Sequence, residues 1–218
     1  MIAAHPQPPE PLGQLYGASR RRICALVRTA DPAVPVPATP QWDVHDVVAH
    51  LAGIVEDAVS GNMDGVTTDA WTAAQVERGR GRSVGDLVDA WTQRAPLVEE
   101  VLSSGGSSNA VRAVLDVHTH EADLAHALGL AATIPADELS WMADVLRSEF
   151  DAEVAAAGLP AVRVDADDWS WFRGRMGRRT VEEVAAFAWS VDPTPYLEAW
   201  FVFGRAEWSL DEAPPGGE

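Results

Sequence analysis

Apolar residues recur at helical spacing along most of the chain and almost nowhere alternate as strands do. Val47, Val48, Leu51, Ile54, Val55, Ala58 and Val59 fall on one stripe. A core-facing helix is therefore expected from Asp43, a side chain suited to capping it, to Asn62. The same rhythm predicts helices over 11–29, over 83–103 through Leu87, Trp91, Val98 and Leu102, over 109–128, and over 135–157 through Leu139, Met142, Leu146 and Phe150. Punctuation sets their ends. The connector "ADPAVPVPATP" is too rich in proline to be helical, Ser83 can cap a helix with Asp86 three residues on, and Gly129 and Gly158 suit the left-handed backbone of a helix end. The stretch holding "SGNMDG" and "ERGRGR" before Ser83 reads as a loop, and "SSGGSSN" reads as a flexible turn. "AVRVDA" from Ala161 is the one short strand candidate.

Beyond residue 160 the pattern changes. Five of the nine tryptophans fall at Trp169 or later, Thr180 and Glu183 form a capping box for a helix through Ala188, and "DPTPYLEAW" suggests another short helix. The organisation expected is mostly all-α, with one core: a disordered lead-in at 1–9, a helical bundle at 10–160, a mainly helical C-terminal extension at 161–210 packing its aromatics on the bundle, and a disordered tail at 211–218.

Charge narrows the partners. Thirty-three acidic residues against sixteen arginines, with no lysine, give a formal charge of −17. Such a field repels phosphate backbones and anionic lipid, which argues against nucleic acid and membrane partners. The N-terminal "MIAAHPQPPEPLG" lacks the basic-then-apolar pattern of a signal peptide, and no apolar stretch is long enough to cross a bilayer, so a cytoplasmic protein is expected. The lone Cys24, in "RRICALVRT" with Ile23 and Leu26, reads as a small buried hydrophobe in a reducing compartment.

The chemistry concentrates in "DVHTHEADLAHALG", which holds three of six histidines and three carboxylates. On a helix Asp116, His120 and Asp123 share a side, and a carboxylate and an imidazole one turn apart can hold the same divalent ion. A second account stands beside this one: Arg112, Asp116, Thr119, Asp123 and His126 form one polar arc with His120 at its edge, which as a face turned to water needs no metal. His118 lies with Val111, Val114, Leu115 and Ala122, the place of a hydrogen-bonded structural histidine. A further ligand has to come from elsewhere in the chain. His50, in "WDVHDVVAHLAG", sits just off the apolar stripe beside Val47 and Ile54, either looking into a cleft between helices or acting as a boundary histidine; His45 does not share that position.

These stretches carry a resemblance. "TPQWDVHDVVAHLAG" resembles the entry to the second helix of the mycothiol-dependent maleylpyruvate isomerase-like proteins of the DinB superfamily, in which a tryptophan opens the helix and a histidine-leucine pair follows. "LDVHTHEADLAHALG" is similar to their second signature, and "RGRSVGDLVDAWTQRAP" resembles the intervening helix. The likeness covers residues 10–160, and "GRRT" with "DPTPYLEAWFVFG" looks like the ending of members without a sterol-carrier-like second domain.

The resemblance implies a DinB-like four-helix bundle holding one divalent ion, often zinc, through His50, Asp116 and His120. Many relatives have glutamate where this chain has Asp116, and other branches share the aspartate. Asp123 matches the family's following aspartate and would orient a ligand or an arginine. Three protein ligands leave a position open, as in a catalytic site. With mycothiol as co-substrate, the implied activity is that of an isomerase or thiol transferase acting on a small electrophile. Two alternatives stand: a non-catalytic ligand-binding or sensor bundle, and a metalloprotein of the same fold that does not use mycothiol. Arg173, Arg175, Arg178 and Arg179 are the densest basic group, placed either to receive an anionic cofactor or to neutralise nearby carboxylates. Trp169, Trp171 and Phe172 read as packing residues, and a monomer or homodimer is expected.

Overall fold

The helical stripes read from the sequence become α1 (Leu12–Val27), α2 (Val44–Ser60), α4 (Val84–Ser104), α5 (Ser108–Ala127) and α6 (Ala136–Ala156), with α3 (Asp69–Gly79) between α2 and α4. The computed structural model describes residues 6–104, 108–201, 203–212 and 214–215. Most of the expected lead-in, the centre of "SSGGSSN" and the end of the tail lie outside the described residues. The caps are those anticipated: Asp43 Oδ1 accepts from the Asp46 backbone N–H at 2.9 Å, and Ser83 Oγ accepts from that of Asp86 at 3.1 Å. Gly129 and Gly158 end α5 and α6 at φ 69° and 70°, a conformation that costs other residues strain.

One element corrects the sequence reading. Residues 69–79, expected to lie in a loop, form α3, whose start is capped by Thr68 Oγ1 accepting from the Trp71 N–H at 3.3 Å. Only Gln75, Val76 and Gly79 of α3 are buried, so it carries no apolar stripe for periodicity to detect.

Contacts divide the chain into two compact units, one from Glu10 to Thr133 and one from Ile134 onward with the described residues before Glu10. The division falls before α6. In the first unit α1 packs on α4 and α5, and α2 packs on α4 and α5, closing a four-helix ring with α3 laid along α2. From Val114 to Ala125 every side chain of α5 except Asp116 is buried, so the middle of the polar arc, Thr119 and Asp123, does not face water, while Arg112, Asp116 and His126 are partly exposed. Buried polar groups on α5 are answered locally: Thr119 Oγ1 donates to the Leu115 carbonyl at 2.7 Å, and His118, away from the arc, has its Nδ1 2.7 Å from that of Val114, the structural role expected of it. Glu121, also buried, accepts from Arg22 Nε (2.7 Å), Arg22 Nη2 (2.9 Å) and Ser19 Oγ (2.7 Å), keying α5 to α1. Tyr16 OH accepts from Trp91 Nε1 at 3.2 Å, tying α1 to α4.

The second unit is built on aromatics. α6 packs against α7 (Asp168–Arg175) and α9 (Leu197–Trp200), and Phe150, Trp171, Tyr196 and Trp200 form a core with Ala143, Val154 and Val184. The capping box at Thr180 and Glu183 is present, but α8 (Val181–Ala185) stops short of the expected Ala188. Ala188–Trp189 instead form β2, antiparallel to β1 (Val164–Asp165), with Val164 opposite Trp189. Arg175 is fully buried and donates to Glu153 and to the carbonyls of Ala199 and Trp200, while Arg173 and Arg179 converge on Glu212. Arg178 Nη1 donates to the Met176 carbonyl at 2.7 Å. Of the two roles open to this arginine group, Arg173, Arg175 and Arg179 take carboxylate pairing. Trp169, Trp171 and Phe172 are buried, as packing residues should be. No helix among the described residues is long and apolar enough to cross a membrane.

Candidate metal centre

The chain enters α2 through a backbone ladder that folds the proline-rich connector against it: the Val36 N–H donates to the Trp42 carbonyl at 3.0 Å, and Pro35 bridges to Asp43. This entry places the Trp42 indole beside the side chain of His50, two turns into α2, with ring centroids 5.2 Å apart. The same indole lies 6.0 Å from the ring of His120 on α5, and the two imidazoles meet edge to face at 5.3 Å. Three aromatic rings thus brace one another where α2 faces α5.

Both imidazoles turn Nε2 toward Asp116. His50 Nε2 lies 3.8 Å from Asp116 Oδ2, and His120 Nε2 lies 3.7 Å from Asp116 Oδ1. One donor atom from each of the three side chains falls within 4.8 Å of the other two. A tetrahedral cation with bonds of about 2.0–2.1 Å holds its ligands about 3.4 Å apart, so binding an ion asks the three donors, now within 4.8 Å of one another, to draw closer together. Two imidazole nitrogens and a carboxylate are a donor set suited to zinc and other first-row divalent ions. The residues present fit such an ion. The histidines are each 5% exposed, whereas the Asp116 side chain is 37% exposed, so the cluster has a buried side and a wet side.

Each histidine backs its other nitrogen with an oxygen. His50 Nδ1 is 2.9 Å from Gln75 Oε1. His120 Nδ1 is 3.2 Å from Asp123 Oδ2, lying off the line of the ring N–H, and Asp123 is fully buried. A hydrogen bond such as that at His50 fixes which nitrogen of a ligating histidine is free to bind. The sequence reading included Asp123 but not Gln75, because Gln75 lies on α3, the helix without a stripe. The signal that could have exposed it is Thr68 as a cap ahead of the helix-forming run "DAWTAAQVE".

The remaining candidates lie apart from this cluster. His45 Nε2 is 2.8 Å from the Arg82 carbonyl, and its neighbours Asp43 and Asp46 belong to the start of α2, where Asp43 is occupied as the cap. Burial pushes the Tyr16 hydroxyl well above its ordinary pKa; the Trp91 hydrogen bond opposes that shift, and the Asp116 carboxylate adds to it. Burial likewise raises the Cys24 thiol, which favours the inert, protonated form expected of a core cysteine.

Residues 16–139, more than half of the chain, match the family model described as the mycothiol maleylpyruvate isomerase N-terminal domain. The matched stretch contains Trp42, His50, Gln75, Asp116, His120 and Asp123. Comparison with curated proteins and with solved structures gives no match.

Proposed function

The chain belongs to the mycothiol maleylpyruvate isomerase N-terminal domain family, and from that premise we propose that it is a divalent-metal protein, with zinc the favoured ion, that uses mycothiol to isomerise or conjugate a small electrophilic substrate. The observation carrying this reading is the convergence of His50, Asp116 and His120 from two helices onto one point. A bound divalent cation supplies Lewis acidity, which favours the ionised form of a thiol placed at its open position near neutral pH.

The chain's own residues do the rest. His50 and His120, braced by Trp42, hold their Nε2 atoms toward a common point. Asp116 adds the negative charge that a cation prefers, and its exposure leaves the site open on that side. Cys24 contributes no nucleophile, because it is buried and its thiol is pushed toward the protonated form. A thiol nucleophile therefore has to come from outside the chain.

Calorimetric titration of metal-free protein with zinc tests the first half. One ion per chain is expected, with affinity falling by at least about 100-fold in His120→Ala. Equal affinity in the parent, His50→Ala and His120→Ala would remove the triad. Titrating mycothiol into the zinc-loaded protein tests the second half, with binding and proton release expected; zinc binding with no response to the thiol would leave a metalloprotein and end the transferase reading.

A further inference from the structure

We infer that Gln75 and Asp57 are positioning residues that set the tautomer of His50, a step that rests on reading His50 as a ligand. His50, Gly53 and Asp57 lie along one face of α2, spanning about 10 Å at helical rise. Gln75 of α3 lies over the middle of that face. A Cβ added to Gly53 would sit 2.7 Å from Gln75 Cβ and 2.9 Å from Cγ, so the glycine is what lets the glutamine lie this close to α2. From there the Gln75 amide spans the gap: Oε1 reaches His50 Nδ1 at 2.9 Å, and Nε2 reaches Asp57 Oδ2 at 2.9 Å. Gln75 is 1% exposed and Asp57 3%, so water does not compete for these bonds.

The direction of this relay follows from donor and acceptor chemistry. The Asp57 carboxylate receives Arg78 Nη2 at 2.8 Å and Asn62 Nδ2 at 2.9 Å on Oδ1, and Gln75 on Oδ2. Every one of these neighbours is a donor, and a carboxylate can only accept from them. Burial raises the Asp57 carboxyl, but the hydrogen bonds from Gln75, Asn62 and Arg78 outweigh it and leave it below its ordinary range. Reversing the Gln75 amide would set its carbonyl against Asp57 Oδ2, oxygen facing oxygen. The amide nitrogen is thus committed to Asp57, the amide oxygen to His50, and the His50 proton to Nδ1. Nε2 is left as the lone-pair nitrogen facing Asp116. The other tautomer would put a proton on Nε2, where it blocks coordination.

Long-range proton–nitrogen NMR of the labelled, metal-free protein near about pH 8, above the ordinary histidine pKa, reads the tautomer directly. The expected spectrum shows His50 with a protonated Nδ1 and an unprotonated Nε2. In Gln75→Leu the Nε2–H form should appear, with the His120 signals in place and zinc affinity about 10- to 100-fold weaker. Asp57→Asn, which frees the amide to turn without removing it, should give a mixture of tautomers even if Gln75→Leu fails to fold. An unchanged His50 tautomer in both variants would overturn the relay while leaving zinc binding by the parent intact. A parent that binds no zinc, yet loses its fixed tautomer in these variants, would keep the relay and sink the metal reading instead.

Discussion

The clamp between α1 and α5 offers the sharpest energetic test of the bundle. Glu121 is 2% exposed and takes three donors, Arg22 Nε at 2.7 Å, Arg22 Nη2 at 2.9 Å and Ser19 Oγ at 2.7 Å. Arg22→Met keeps much of the aliphatic stem but removes both charge-assisted bonds and leaves the carboxylate buried with Ser19. Breaking a buried pair from one side costs about 3–5 kcal/mol. The Arg22 side chain is 22% exposed, so water softens the loss, and the lower end, about 3 kcal/mol, is expected. For a unit of this size that lowers Tm by about 10 °C. Scanning calorimetry on metal-free protein measures it without ligand linkage. Glu121→Gln in the Arg22→Met background removes the stranded charge, so the double variant should be more stable than the sum of the single losses implies, by at least about 1 kcal/mol. A loss under about 1 kcal/mol in Arg22→Met, or strict additivity in the double variant, would refute the claim that a desolvated carboxylate keys α5 to α1.

Three further outcomes are expected. Gly53→Ala places a methyl group 2.7 Å from Gln75 Cβ and should push α3 off α2, lowering stability by about 1–3 kcal/mol by calorimetry and weakening zinc binding in the same variant. Burial raises the Glu183 carboxyl, but hydrogen bonds from Thr180 and Ser209 and the nearby Arg179 hold it below its ordinary pKa. Its contribution is therefore complete above the unfolded carboxyl value of about 4.3 and is lost as pH falls through the lowered folded value; acid melts of Glu183→Gln should lack that part of the decline. Zinc at about a hundred times its Kd should stabilise the unit from Glu10 to Thr133 by about 2.7 kcal/mol, and a chelator should reverse the shift.

What the sequence made legible follows from where the physics is local. The stripe from Val47 to Val59 and the caps at Asp43 and Ser83 depend only on near neighbours, and the helices they announce are present. The pairing of Asp116 with His120 is local too, one turn apart on α5. Whether those two meet His50 depends on the rotation of α5 about its own axis, which is set by contacts such as Glu121 with Arg22, far apart in sequence. Spacing therefore left two readings open, and the family resemblance supplied the triad. The polar arc was ambiguous for a related reason. Thr119 and Asp123 within it are buried while Arg112, Asp116 and His126 are partly exposed, and periodicity has no means of seeing a polar side chain whose partner lies on another helix or on its own backbone. Gln75 escaped because α3 docks on α2 through glycine and amide contacts and not through an apolar face.

The two sides of the cluster differ in kind, and that difference constrains how the site can work. His50 is anchored through Gln75 to a carboxylate with three donors, His120 has Asp123 beside its Nδ1, and Trp42 lies against both rings. His50 cannot swing without breaking packing and a hydrogen bond together, and His120 is held by its ring packing against Trp42 and His50, so these two donors are preorganised. Asp116 is the one side chain between Val114 and Ala125 that is not buried, and it sits on a shorter stem than the glutamate the resemblance would allow. A short carboxylate has fewer rotamers to lose and less reach, so with both histidines held, the closure that brings the three donors from within 4.8 Å to bonding geometry has to come from Asp116 and from movement of α5 toward α2. Asp116→Glu separates these contributions: if side-chain reach limits the closure, the longer carboxylate should bind zinc at least as tightly as the parent, whereas weaker binding would show that the helix spacing is already matched to aspartate.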